Sequence, residues 1–266
     1  MKKKSKFNNS NKDFINKFKL ILKNVSNKLN TLKKTISSNK KIKDFCLSLL
    51  KYTLLTIAGL HQLLFLIIFF LSILFNFTNP KFTSLMLYRN IINKQKNKKI
   101  IYIPLKHITK KTQSNIIGIE DFKFYKHIGI DPEAIIKAYN INKKLGYKFR
   151  GGSTITQQLA RTLFLVPQKN YFRKYLEVLI ALEIDLLLPK KRILELYLNY
   201  IEFGNGIYGI GEASYYYYNK PYNKLNIDEI NKLLTIIPNP KKYNTTNFYD
   251  NRKLLTRYYI LTSWGT

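Results

Sequence analysis

Two blocks in mid-chain hold the residue types that do chemistry. Glu120-Asp121-Phe122-Lys123-Phe124-Tyr125-Lys126-His127-Ile128-Gly129 sets a carboxylate pair beside an aromatic cluster and a histidine. Gly151-Gly152-Ser153-Thr154-Ile155-Thr156-Gln157-Gln158-Leu159-Ala160-Arg161 opens on a glycine pair, runs through hydroxyl and amide side chains, and ends in a cation. A helix used only for packing has no need of Gly-Gly-Ser-Thr followed by Thr-Gln-Gln. An anion-binding helix start does, because glycine lets the backbone approach a ligand and free N–H groups point at it. A carboxylate available for acid or base work beside such a cradle points to group transfer from a phosphorylated donor.

Glu120 is the leading candidate for the acid or base. It follows the apolar run Ile116-Ile117-Gly118-Ile119. A capping or salt-bridging glutamate is the plainer reading of Glu120 alone, and the neighbouring blocks reverse it. Gln157 and Arg161 are i, i+4 neighbours on one helix face, with Gln158 adjoining. Lys169, Arg173 and Lys174 follow, and Glu177 lies one turn beyond Arg173. The alternative here is a solvated face with an Arg–Glu pair. Arginine is scarce, however: 39 of the 46 basic residues are lysine, and six of the seven arginines stand at 150, 161, 173, 192, 252 and 257. In a chain that uses lysine by default, such clustering points to bidentate recognition of phosphate or carboxylate.

The elements that must position these residues are mainly helical. Asp131-Pro132 is an N-cap and first-turn pair opening a helix through Tyr139. Gly151-Gly152-Ser153 opens another through Phe164. Tyr171–Leu188 is apolar-periodic and stops at Pro189. Lys190–Ile201 ends at Phe203-Gly204-Asn205-Gly206, and Ile227–Ile237 ends at Pro238-Asn239-Pro240. Strand signals are sparse, with one short candidate at Ile100-Ile101-Tyr102-Ile103. The Tyr215–Tyr218 run reads as a partly buried helix face.

Ahead of this lies a different kind of chain. Residues 1–44 are a Lys/Asn/Ser-rich basic arm. From Tyr52 to Asn79 there are 28 consecutive residues without Asp, Glu, Lys or Arg. A spanning helix needs roughly 20 apolar residues, so the segment 52–79 predicts one transmembrane helix. A cleaved signal peptide is disfavoured by the length of the apolar run and the lack of a small-residue cleavage pattern. The arm puts the N-terminus in the cytoplasm and everything after Pro80 outside. Residues 80–112 read as a membrane-proximal connector and residues 113–266 as the catalytic domain.

The formal net charge is +31. Residues 1–51 hold fifteen lysines against Asp13 and Asp44, a net +13, and the rest is spread along the chain. That is not a groove-reading element, so the partner it implies is an anionic membrane surface and not nucleic acid. Cys46 is the only cysteine, and His61, His107 and His127 lie far apart, so no zinc spacing exists.

Taken in order, four motifs resemble one family. They are Glu-Asp-x-x-Phe-x-x-His-x-Gly from 120, Gly-Gly-Ser-Thr-Ile-Thr-Gln-Gln-Leu-Ala-Arg from 151, Arg-Lys-x-x-Glu at 173–177, and Ile-Leu-Glu-x-Tyr-Leu-Asn at 193–199. Together with Phe203-Gly204-x-Gly206-x-Tyr208-Gly209-Ile210 they look like the successive motifs of the peptidoglycan glycosyltransferases. These form the transglycosylase domain of class A penicillin-binding proteins and also occur as monofunctional enzymes. The resemblance covers roughly residues 100–265 and implies a mainly α, lysozyme-like domain behind one transmembrane helix, with a membrane-dipping subregion. It implies polymerisation of lipid II into β-1,4-linked strands with inversion and release of undecaprenyl diphosphate, at the bacterial inner membrane with the catalytic domain periplasmic.

By the same resemblance Glu120 matches the general base and Glu177 the second essential carboxylate. Ser153, Thr154, Gln157, Gln158, Arg161, Lys169 and Arg173 match the donor diphosphate site. Lipid II, the lipid-linked strand, membrane lipids and other cell-wall synthesis proteins are the implied partners. A divalent cation, Mg or Mn, bridging the diphosphate is the only cofactor implied, and the sequence contains no dedicated cage for it. The chain departs from the family at Arg161, where lysine is common, and at Lys169, where arginine is common. Glu202 replaces an aromatic, and Asn251-Arg252-Lys253 stands where the last motif has an arginine pair. Two other classes remain in view: a lysozyme-like glycan cleaver, and an inactive membrane scaffold for wall assembly. The Gln157/Arg161/Arg173 set counts against the cleaver, and the intact Glu120 and Glu177 against the scaffold.

Overall fold

The structure, a computed structural model, describes residues 19–28, 30–31, 40–147, 151–168, 170–246 and 251–263. Lys169 and Arg150 lie outside these. The chain divides into two units, residues 1–64 and 65–266.

Helix α1 runs Lys40–Phe77, 38 residues. It begins well before Tyr52, the predicted start, because nothing in Lys40–Lys51 breaks a helix: Lys and Leu are good helix formers, and no Gly or Pro intervenes. Freedom from charge marks what a bilayer tolerates, not where a helix starts. Ile68 and Ser72 are its buried residues. Most of its apolar side chains face outward, Leu63, Leu66 and Phe70 each more than half exposed. It is the one described helix long and apolar enough to cross a membrane.

The end of α1 is capped from afar. Arg192 donates through Nε to the Phe75 carbonyl at 2.7 Å and through a terminal nitrogen to the Thr78 carbonyl at 2.6 Å and Asn79 Oδ1 at 2.8 Å. Its other terminal nitrogen donates to Tyr102 Oη at 2.6 Å and pairs with Glu195. Burial raises the Glu195 carboxyl, but the Leu105 N–H, the Tyr102 hydroxyl and Arg192 outweigh it and hold the group below its ordinary value. One guanidinium thus satisfies orphan helix carbonyls and a half-buried carboxylate together. Arg192→Ala should lose about 3 kcal/mol. That lowers Tm by about 6–12 °C in a scanning fluorimetry melt of the full chain.

Helices α2 (Ser84–Asn93), α3 (Lys110–Glu120) and α4 (Pro132–Leu145) follow, with a 3-10 turn at Leu105–His107 between α2 and α3. Asp131 caps α4 as its sequence predicts, but the helix runs past Tyr139 to Leu145 and closes on Gly146 in the left-handed region. The connector is therefore partly helical and packed. Leu85 and Met86 of α2 form a small buried cluster with Tyr208, against which Ile100 packs. Ile100–Ile103 forms no strand. Asn199 clamps it instead, accepting from the Ile103 N–H at 2.7 Å and donating to the Ile103 carbonyl at 2.9 Å. A side-chain amide has taken the place of a neighbouring strand.

The core of the second unit is α5 (Ile155–Phe164), α6 (Tyr171–Leu187) and α7 (Lys190–Tyr200). Helix α5 lies against both others. Ile155, Leu159, Ala160, Ile180, Ala181, Ile184, Ile193, Leu194 and Tyr197 are all essentially inaccessible. A hairpin of β1 (Glu202–Gly204) and β2 (Ile207–Tyr208) leads to α8 (Gly209–Tyr218), α9 (Ile227–Ile236) and α10 (Arg252–Ser263). Within the Tyr215–Tyr218 run, Tyr215 and Tyr216 are exposed and Tyr217 and Tyr218 half-buried. Glu202, the odd residue of the hairpin, pairs with Arg89 of α2 at 3.3 Å, both side chains largely buried. The substitution for an aromatic is a strut between the connector and the hairpin.

Candidate active site

Glu120 is the last residue of α3, with its side chain 11% exposed. One carboxylate oxygen accepts from Gln158 Nε2 at 2.8 Å and the other from Arg257 of α10. Arg257 also donates to the Leu234 carbonyl at 3.2 Å. Tyr197 donates its hydroxyl to the Gln158 amide oxygen at 3.2 Å, which orients that amide so its nitrogen faces Glu120. Burial first, and the Glu120 charge second, push the Tyr197 hydroxyl well above its ordinary range, so it remains a neutral donor. An ionised carboxylate offers about four lone-pair sites, so the two bonds fix Glu120 and leave room for an incoming proton.

The other polar members of the first block do structural work. His127 Nε2 lies 2.9 and 3.0 Å from the two oxygens of Asp121, and Asp121 also accepts from the Ile155 N–H at 2.9 Å. Asp185 takes Gly129 N–H, Thr156 Oγ1 at 3.0 Å and Lys190 Nζ at 2.8 Å. Gly129 sits at φ +72, and a Cβ there would meet the Ala181 carbonyl. These bonds pin the 121–131 loop to the start of α5 and to α6.

That network corrects the anion-binding reading of the α5 start. The Ile155 N–H is spent on Asp121. Thr154 caps the helix, accepting from the Gln157 N–H at 3.1 Å, while Gln157 Oε1 accepts from the Thr154 N–H at 3.0 Å, a capping box. Gln157 is wholly inaccessible and holds the helix start. Gly152 is needed for a close approach within the protein: a Cβ would lie 2.8 Å from Ile135 Cα of α4. The N–H groups of Thr154, Ile155 and Gln157 are therefore taken from inside the protein.

Positive charge comes from side chains instead. Glu177, 1% exposed, binds Arg173 with one oxygen and Lys174 Nζ at 2.5 Å with the other. Lys174 also donates to Ser153 Oγ at 3.0 Å. Glu177 is thus the buried anchor of two cations beside Ser153. Arg161, one turn beyond Gln158 on α5, has no carboxylate partner among the described residues. Arg89, Arg173, Arg192 and Arg257 are all paired internally. Four of the seven arginines thus serve carboxylates of the fold itself, while Arg161 and Arg252 pair with none among the described residues.

Glu183, further along α6, has a buried Oε2 without a hydrogen-bond partner, and burial pushes its carboxyl up to about 7. An acid raised in the native state adds stability below its unfolded value near 4.5 and loses it as pH climbs through about 7. The wild-type melting temperature should fall across that window relative to Glu183→Gln, whose profile should be flatter in melts at stepped pH.

Arg257 and Tyr197 are absent from the candidate set that the motifs yield. Arg252 is exposed on α10, and it is Arg257, one and a half turns later, that reaches the site. The scarcity of arginine was the available signal for it. No group of three His, Cys, Asp or Glu side chains suited to a metal occurs among the described residues.

Comparison with known proteins identifies the family. Residues 88–263 match the family model described as Transglycosylase. A biosynthetic peptidoglycan transglycosylase of Dechloromonas aromatica is 40% identical over 199 residues, 73% of this chain and 86% of the relative. Those of Thiobacillus denitrificans and Haemophilus influenzae are 41% and 38% identical, covering 60% and 68% of this chain and 70% and 78% of the relatives. With two thirds of its length in the family match and a relative 40% identical over most of both chains, the chain belongs to the transglycosylase family.

Proposed function

We propose that this chain is a membrane-anchored peptidoglycan glycosyltransferase that polymerises lipid II. In this reading Glu120 accepts the proton of the acceptor 4-hydroxyl as that oxygen attacks the anomeric carbon of the lipid-linked strand. The carbon–oxygen bond to the diphosphate breaks on the opposite face, so the new β-1,4 linkage forms with inversion and undecaprenyl diphosphate departs. Arg161, with Arg173 and Lys174 held by Glu177, meets the charge on the leaving group. Lys169 joins them by resemblance. The observation that carries the reading is a carboxylate held by Gln158 of α5, one turn before Arg161, which has no carboxylate partner among the described residues.

A glycan cleaver of the same fold is not favoured. A cleaver of uncharged glycosidic bonds has no leaving diphosphate for the cations Arg161, Arg173 and Lys174 to meet. The basic arm ahead of α1 supports a cytoplasmic N-terminus and a catalytic unit on the outer face of the inner membrane. The test is polymerisation of lipid II by the purified full chain, with Arg161→Ala beside it. Strands from the wild type and a rate about 100-fold lower in the variant are expected. Soluble fragments released from preformed wall, with no strands made, would replace this reading with the cleaver.

A further inference from the structure

Helix α1 is preceded by a further stretch of helix, at residues 19–28 and 30–31. At about 100° per residue its side chains separate by type. Ile21, Leu22 and Val25 share one face, and they are 57%, 53% and 51% exposed. Lys19 and Lys28 flank that face on either side, while Lys23 and Asn27 lie opposite it. Leu20 falls among the polar residues and takes no part. In the sequence the same alternation of three and four continues, from Phe18 through Leu22, Val25 and Leu29 to Leu32. Adjacent exposed apolar side chains, repeated at helical spacing inside a charged segment, mark a contact surface.

Two observations say what covers it. The first is charge. Between Asp13 and Asp44 the chain holds nine lysines and no acid. A coiled coil with a second copy would set Lys28 against Lys33 along its seam, a like-charge pair where such coils place opposite charges. Lysine without any acid suits a surface of one negative sign.

The second is the tether. From Lys40, where α1 begins, to Tyr52, where the charge-free run begins, the helix rises roughly 18 Å. The chain from Lys28 to Lys40 extends at most about 40 Å. That reach exceeds the rise, so the 19–28 helix returns to the leaflet that α1 enters and is confined close to it.

We propose that the 19–28 helix lies in the plane of the cytoplasmic leaflet and binds anionic phospholipid there. This rests on the reading of α1 as a membrane span with a cytoplasmic N-terminus. Ile21, Leu22 and Val25 enter the boundary between headgroups and acyl chains, about 5–10 Å deep. The stems of Lys19 and Lys28 run along the two edges of the apolar face, and their ammonium groups meet lipid phosphates. Lys23 and Asn27 stay in water. So short a helix is marginal by itself in water, and the surface supplies what holds it. The chain then grips its membrane by two devices, one across the bilayer and one along it.

The test is spin labelling of the full chain in liposomes. Cys46→Ser removes the native thiol, and single cysteines placed along residues 19–28 and at Leu60 of α1 carry the label one at a time. In liposomes rich in phosphatidylglycerol, collision with oxygen should peak at positions 21, 22 and 25. Collision with a water-soluble nickel chelate should peak at 23 and 27. In phosphatidylcholine, and in the anionic liposomes for Lys19→Gln/Lys28→Gln, the immersed population should fall about 30-fold, the equivalent of two lysines at about 1 kcal/mol each. The label at position 60 should be oxygen-rich and nickel-poor in both lipids. A flat pattern over 19–28 with position 60 immersed would overturn the in-plane helix alone. A water-exposed position 60 would overturn the span reading, and this inference with it. Equal immersion in the two lipids would overturn the recognition of anionic headgroups. Spin–spin broadening between copies labelled at 22 or 25 would assign the face to a second copy instead.

Discussion

Glu120→Gln should lower the rate of glycan-strand formation by about 100- to 10,000-fold, the range typical of a lost general base. The substitution keeps the size and planarity of the group and retains an oxygen that can accept from Gln158 or Arg257. It removes the capacity to take up a proton. Its stability cost should be confined to one charge-assisted bond, about 1–3 kcal/mol. The two effects separate cleanly: strand formation from lipid II is followed on gels, and folding by a thermal melt of the same preparation. A variant that polymerises at the wild-type rate would remove Glu120 as the base.

Arg257→Ala should damage both stability and rate. Arg257 and Glu120 are only 15% and 11% exposed, so deletion of the guanidinium strands a carboxylate in a largely dry setting. Breaking such a pair costs about 3–5 kcal/mol. The Leu234 carbonyl loses its donor as well. Arg257 is a positioning residue, so kcat should fall about 100-fold with little change in KM for lipid II, because a misdirected base slows the transfer without weakening donor binding. Arg257→Lys should recover part of the stability, since one ammonium restores the charge but not both bonds. A rise in KM at constant kcat would show instead that Arg257 contacts substrate.

These two variants also separate what was legible in the chain from what was not. The helix start at Asp131-Pro132 and the stop before Pro189 are local events, and both stand where the residues predict. So does the apolar span, although the helix containing it starts earlier. The strand read into Ile100–Ile103 fails because Asn199, almost a hundred residues later, fills both hydrogen-bonding positions of Ile103. The glycine-rich block was legible as a special helix start, but not as one whose N–H groups at Thr154, Ile155 and Gln157 are taken from inside. Asp121 comes from another element to claim its N–H, and Gly152 faces α4.

By itself the amino-acid sequence determined the class of the protein: an apolar span, a mainly α domain, and an ordered set of motifs with Glu120 and Glu177 at their centres. It did so because caps, breakers, charge-free runs and periodicity are encoded within a turn or two of chain. Only the tertiary structure decided which polar side chains are free to meet a substrate. His127, Asp121 and Gln157 look reactive in the sequence and are consumed as struts. Arg257 looks incidental and arrives from 137 residues away to hold Glu120. A buried polar group takes whichever partner packing brings within bonding distance, and that choice is made between elements, not along the chain.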